Sequence, residues 1–175
     1  MKFRATARCV LLDPSDRVLL CEITDPTVKD LGREITHPFW VTPGGAVEPG
    51  ETPEAALRRE LAEEIGHAEI DGLRPIWRAE HVLEWRGERI RFDEDFFLAR
   101  TRRTEIRYAR HTEEERGHLG EIRWWRHEEM RATPLSILPG VLVETFGDLV
   151  HRRIPDTPVM ISLSARERRE ERKAD

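Results

Sequence analysis

The chain has 175 residues, a formal net charge of −5, 38% apolar residues and 36% charged residues. That length supports one domain with a real core, and the balance suits a compact enzyme with a charged surface better than a disordered chain. The acidic balance, with no basic stripe interleaved with aromatics, argues against a nucleic-acid binder, and no apolar stretch is long enough to span a bilayer.

Cys9 and Cys21 lie in separate apolar runs without zinc or disulfide spacing. Reduced, buried thiols in a soluble cytoplasmic protein, monomer or homodimer, are therefore expected. No signal-peptide apolar region opens the chain.

Two strand-like runs come first, Arg4 to Leu12 and Arg17 to Ile23, joined by a turn at Asp13-Pro14-Ser15-Asp16. Thr24 to Pro38 reads as a long polar loop, and Phe39 to Thr42 as a short strand broken by Pro43-Gly44-Gly45. A helix follows: Thr52 can cap it, Pro53 suits its first turn and Gly66 can end it. Leu57, Leu61 and Ile65 recur every four residues to form its apolar stripe. Leu73 to Trp85 and Glu88 to Arg100 read as strands about an Arg86-Gly87 turn. A charged loop, Thr101 to Gly120, leads to a strand at Glu121 to Trp125, a short helix from Glu128 to Met130 and a longer one from Leu138 to Arg153. The expected architecture is an α/β sandwich around a mixed sheet over residues 1–163, with a charged tail, 164–175, left disordered.

The helix carries the informative pattern. Glu60, Glu63 and Glu64 are separated by three, four and one positions, so they share a sector of the helix roughly 100° wide beside the apolar stripe. They repel one another near the negative C-terminal end, an arrangement that calls for a cation. Magnesium, a hard ion that prefers oxygen ligands, fits best, and manganese is a plausible substitute. Gly44 and Gly45 before the helix let backbone carbonyls approach an ion or phosphate without a Cβ in the way. Glu51 and Arg59 read as an ion pair that pins this loop to the helix.

Gly45, Glu51, Arg59, Glu60, Glu63, Glu64 and Gly66 together resemble the signature of the Nudix hydrolases, G-x5-E-x7-R-E-U-x-E-E-x-G-U, where U is apolar. All fixed positions match, and only the last U departs, because His67 occupies it. His67 is expected to pack or cap the helix end. The resemblance implies a Nudix-type α/β/α sandwich and magnesium-dependent cleavage of a diphosphate linkage. The substrate would be a nucleoside triphosphate or a nucleoside diphosphate linked to another group. It implies that Glu60, Glu63 and Glu64 hold magnesium, with the Gly44 carbonyl and an acid from Thr112-Glu113-Glu114-Glu115, Glu115 first, as further ligands. Glu60 leads as general base, and Arg59 is a secondary partner for the phosphates.

Trp40 and Gly45 are expected at the substrate, with Phe39, Trp77 and Trp85 as other aromatic candidates for stacking on a base. Pro75 comes too early and Tyr108 too late after the box to mark a substrate subfamily. The alternative is a non-catalytic Nudix domain that acts as a nucleotide-ligand sensor or regulator. Such domains often lose box carboxylates, and this chain keeps them.

Overall fold

Alternation in the first run decides the architecture. Ala7, Cys9 and Leu11 on one face of β1 (Lys2–Leu12), and Val10 and Leu12 on the other, are all fully buried, so this strand is covered on both sides. The computed structural model describes residues 1–30, 35–107 and 119–163. β1 pairs in parallel with β7 (Glu88–Arg100) over its whole length. It also pairs antiparallel with β5 (Gly44–Ala46) and meets β2 (Val18–Ile23) only at Leu12↔Val18.

β6 (Asp71–Trp85) lies antiparallel to β7 across a turn in which Arg86 and Gly87 both have positive φ, 52° and 78°. That conformation matches the twist of a tight two-residue hairpin. From edge to edge the sheet runs β10 (Val159–Met160), β6, β7, β1, β2, β4 (Phe39–Val41) and β9 (Ile137–Leu138). β3 (Lys29–Asp30) adds to β6, and β8 (Leu119–Trp125) adds to β2. Parallel pairs (β1–β7, β4–β9, β6–β10) mix with antiparallel ones.

Helices cover both faces. α1 (Pro53–Ile65) buries Leu57, Leu61 and Ile65 against Cys9, Leu11, Leu19 and Phe97. Its start and end follow the expected punctuation: Thr52 Oγ1 accepts from the Ala55 N–H at 3.2 Å, and Gly66 closes the helix at φ 81°. On the opposite face α3 (Val141–Val150) buries Leu142, Phe146 and Leu149 against Val10, Leu20 and Phe96, with α2 (His127–Ala132) beside it. The α/β sandwich around a mixed sheet is thus the fold of the chain. Among the described residues no helix is long and apolar enough to cross a membrane.

Local expectations are corrected at four places. Gly44–Ala46 is a strand rather than a break, because the glycines let β5 lie closely against β1. The late helix begins at Val141, not Leu138: Ile137–Leu138 is drawn into the sheet beside β4, and Pro139-Gly140 separates the two. β3 interrupts the long polar loop, and β10 was not expected. Cys9 and Cys21 are free and buried as expected; burial, then the nearby Glu64 charge, pushes both thiols up and leaves them unreactive. The 164–175 tail lies outside the described residues, as does Glu115.

Candidate active site

The loop and the first two turns of α1 are stapled by Arg59. Its Nη2 donates to Glu51 Oε2 at 3.0 Å and to the Ala46 carbonyl at 2.8 Å, and its Nε donates to Glu51 Oε1 at 3.1 Å. The expected Glu51–Arg59 pair is present in bidentate form. The remaining Nη1 reaches Glu60 Oε1 at 2.8 Å and stands 3.6 Å from Glu63. One guanidinium therefore fixes the loop and faces two of the three helix carboxylates.

Glu60 and Glu64 line a cavity of about 520 Å³, together with Gly44 and Gly45. Glu64 is buried, and its Oε2 accepts the Gly44 N–H at 3.0 Å. Burial pushes the Glu60 carboxyl up, Arg59 opposes this, and the Glu63 charge adds to it. Glu63 is 43% exposed and does not line the cavity. Among the described residues, no three acidic, histidine or cysteine side chains stand close enough to hold an ion as placed. The helix thus brings two of the three predicted carboxylates together and leaves the third at the rim.

The donor set nonetheless fits a hard divalent ion. It consists of oxygens alone, it carries repelling negative charge, and its space is kept by a glycine. A Cβ at Gly45 would lie 2.3 to 2.5 Å from the Glu60 carboxyl atoms. The Gly44 carbonyl, expected as a further ligand, accepts from Arg8 Nη1 at 3.0 Å and retains a second lone pair.

Trp40, expected at the substrate, is not there. The alternation that turns Phe39 and Val41 to the cavity turns Trp40 away from it into the core, where its ring meets Trp125 edge-on at 4.8 Å. Trp77 is core as well, and Phe39 and Trp85 are the aromatic candidates that do line the cavity. On β8, Trp125 is buried and Trp124 half-buried, as alternation predicts. His67 is buried at the helix end, where Nδ1 accepts the Glu69 N–H at 3.4 Å, which is a packing role.

The cavity also holds polar residues that motif reading passed over: Arg4, Thr6, Arg8, His81 and Glu94. Arg8 Nε donates to Glu94 Oε1 at 3.1 Å, and Thr6 Oγ1 donates to the same oxygen at 2.9 Å. Burial lowers the Arg4 pKa, Arg8 lowers it further, and Glu60 opposes both. The signal was available in the strand alternation: Thr6 and Arg8 occupy the parity of buried Val10 and Leu12, and Glu94 that of Phe92 and Phe96.

Comparison with known proteins places this geometry. The family model for the NUDIX domain matches residues 2–146. The chain belongs to the Nudix family. It is 37% identical over 71 residues to nucleoside triphosphatase NudI of Enterobacter sp. (strain 638), which covers 40% of this chain and 46% of that protein. It is 41% identical over 61 residues to NudI of Escherichia coli O1:K1 / APEC, covering 35% of this chain and 39% of that one. The matched region thus spans less than half of these curated Nudix relatives. Among solved structures, the MutT NUDIX hydrolase of Burkholderia pseudomallei superposes with a TM-score of 0.55 at 22% identity, covering 78% of this chain and 92% of that one. The Nudix domain of Shewanella oneidensis NrtR, complexed with ADP ribose, superposes with a TM-score of 0.57 at 15% identity, covering 87% and 89%. These likenesses establish the Nudix fold.

Proposed function

We propose that this Nudix chain is a magnesium-dependent hydrolase that cleaves a diphosphate linkage in a nucleotide, a nucleoside triphosphate before a nucleoside diphosphate linked to another group. The observation that carries the reading is the placement of Glu60 and Glu64 at a glycine-edged end of a cavity whose other walls hold arginine and aromatic side chains. The name of the NudI relatives supports the triphosphate. Manganese substitutes for magnesium on the same oxygen donors.

Glu60, Glu63, Glu64 and the Gly44 carbonyl would hold the ion, with Glu63 rotating in from the rim and Glu115 as a further acid. A bound magnesium supplies charge neutralisation at the diphosphate oxygens and a bound water of lowered pKa. Glu60, which lines the cavity and is held by Arg59, is the carboxylate proposed to take the proton of the attacking water. Arg59 holds Glu60 in place and keeps the loop carrying Gly44 and Gly45 against the helix. Phe39 and Trp85 offer apolar surface to a base.

Arg4 supplies positive charge for the phosphates. Its guanidinium lies 6.0 Å from the Trp85 ring centroid and, among the described residues, forms no ion pair. Arg4→Ala is expected to raise KM for a triphosphate about tenfold and to change kcat less than about threefold, the pattern of lost ground-state binding. Steady-state kinetics check this, and an equal fall in kcat with KM unchanged contradicts it.

Phosphate or pyrophosphate release from a nucleotide panel, with magnesium and again with EDTA, tests the central reading. Release from at least one nucleotide that stops with EDTA and returns with magnesium is expected. Tight nucleotide binding without turnover in any metal would instead favour the sensor or regulator.

A further inference from the structure

The face of the sheet that should be uniformly apolar is interrupted at neighbouring positions on adjacent strands. On β1 Thr6 stands beside Glu94 of β7, Glu94 beside Ala79 of β6, and His81 of β6 beside Phe92. The period of two carries these side chains to the same face as Val10, Phe96 and Leu98. Burying an ion pair there carries a desolvation cost for each charge, which a well-packed apolar cluster would avoid. An interruption of this kind, opening into a cavity, points to a ligand.

The polar atoms are satisfied on one side only. Glu94 is 6% exposed; its Oε1 accepts from Thr6 and Arg8, while Oε2 makes no hydrogen bond among the described residues. His81 Nδ1 is buried without a partner and stands 3.9 Å from that Oε2, beyond hydrogen-bond reach. Arg8 spends Nε and Nη1 on Glu94, Thr42 and Gly44, and no hydrogen bond is found for Nη2 among the described residues. Beside a carboxylate the favoured His81 tautomer carries its proton on Nδ1, and burial keeps the ring neutral. The unspent groups are therefore a donor on His81, an acceptor on Glu94 and a donor on Arg8.

We propose that Thr6, Arg8, His81 and Glu94 form the specificity subsite of the cavity, and that it reads the carbonyl–N–H–carbonyl edge of an imide base, uracil or thymine. The ring N–H donates to Glu94 Oε2, one flanking carbonyl accepts from His81 Nδ1, and the other accepts from Arg8 Nη2. Cytosine and adenine instead turn an acceptor ring nitrogen toward the Glu94 carboxylate, and guanine brings a second N–H to a place where the remaining neighbours are donors. A site built for one hydrogen-bonding edge rejects others steeply for this reason. Phe92, parallel to the His81 ring at 5.2 Å, holds the imidazole in place. Arg8 also links the subsite to the diphosphate end, because the guanidinium that holds Glu94 donates to the Gly44 carbonyl.

The inference rests on the nucleotide reading but not on turnover, so binding is measured apart from catalysis. Calorimetric titration in EDTA with UMP, dUMP, CMP, AMP and GMP should give UMP and dUMP affinities at least about tenfold above the rest. Glu94→Gln should reduce that preference to below about threefold. His81→Ala, which leaves the Arg8–Glu94 pair intact, should reduce it too and serves if Glu94→Gln fails to fold. Equal affinity for all bases, an unchanged preference in the folded variants, or a preference for UMP over dUMP without base discrimination (Glu94 then reads a ribose hydroxyl) overturns the assignment. Magnesium-dependent turnover that is uniform across bases also overturns it while leaving the hydrolase standing. Selective binding without turnover supports the subsite and removes the hydrolase.

Discussion

Glu64→Gln is expected to lower kcat for nucleotide hydrolysis at least about a hundredfold while leaving the thermal midpoint within about 3 °C of the parent. Glu64 is 9% exposed and its Oε2 accepts the Gly44 N–H at 3.0 Å. A glutamine carbonyl can accept that same bond, so the loop keeps its support. What disappears is a negative charge at the end of the cavity where Glu60 also stands. Weaker magnesium affinity, read from the metal dependence of kcat, should accompany the loss. Glu63→Gln serves as the comparison, because Glu63 stands 43% exposed at the rim beside Arg59. A similar loss is expected if Glu63 turns inward when the ion binds; unchanged activity removes Glu63 from the mechanism. Full activity in Glu64→Gln removes the carboxylate site itself.

Much of this arrangement was legible from residues in chain order, and the legible part was the local part. The Thr52 cap, Pro53 and Gly66 fixed α1 because each acts on its own turn of backbone. The Arg86-Gly87 hairpin was readable for the same reason. The Glu51–Arg59 pair was inferable because the loop closes onto the following helix. What could not be read was set by distant pairing. Leu138 reads in sequence as the start of the late helix, and its pairing beside β4 makes Ile137–Leu138 a strand instead. Gly44 and Gly45 look like a break until β1 is placed against them.

The site divides along the same line. Glu60, Glu63 and Glu64 announce themselves by spacing on one helix, although spacing alone did not reveal that Glu63 stands beside Arg59 and outside the cavity lining. Trp40 is an aromatic next to the glycine loop, and only strand parity shows that it faces the wrong way for a ligand. Arg8, His81 and Glu94 come from three strands of the sheet. Glu94 sits within Asp93-Glu94-Asp95, which reads as a solvated stretch, yet it is buried because β7 keeps its period of two from Phe92 to Phe96. Substrate contacts gathered from separate strands leave no contiguous motif.

The two loop glycines should separate when each is replaced by alanine, because their methyl groups would meet different things. At Gly44 φ is +127°, and a Cβ would lie 2.1 Å from the Ala7 carbonyl oxygen in the backbone of β1. Neither strand can yield without losing the β1–β5 ladder at Arg8↔Gly44. Gly44→Ala is therefore expected to destabilise the fold by about 3 kcal/mol or more, from strained φ and overpacking together, lowering the midpoint by roughly 10 °C. At Gly45 no positive φ is required, and the methyl's nearest neighbours would be the Glu60 carboxyl atoms, the movable end of a side chain. Gly45→Ala should fold with its midpoint within about 3 °C of the parent. It should lose activity by roughly a hundredfold, because Glu60 must swing away from the place at which the proposed mechanism has it take a proton and join the ion's oxygen donors. Thermal unfolding and kinetics on both variants check the contrast. If Gly45→Ala keeps full activity, the position of Glu60 beside that glycine is not the one used in the reaction. If Gly44→Ala is as stable as the parent, the close approach of β5 to β1 is not what the glycine provides.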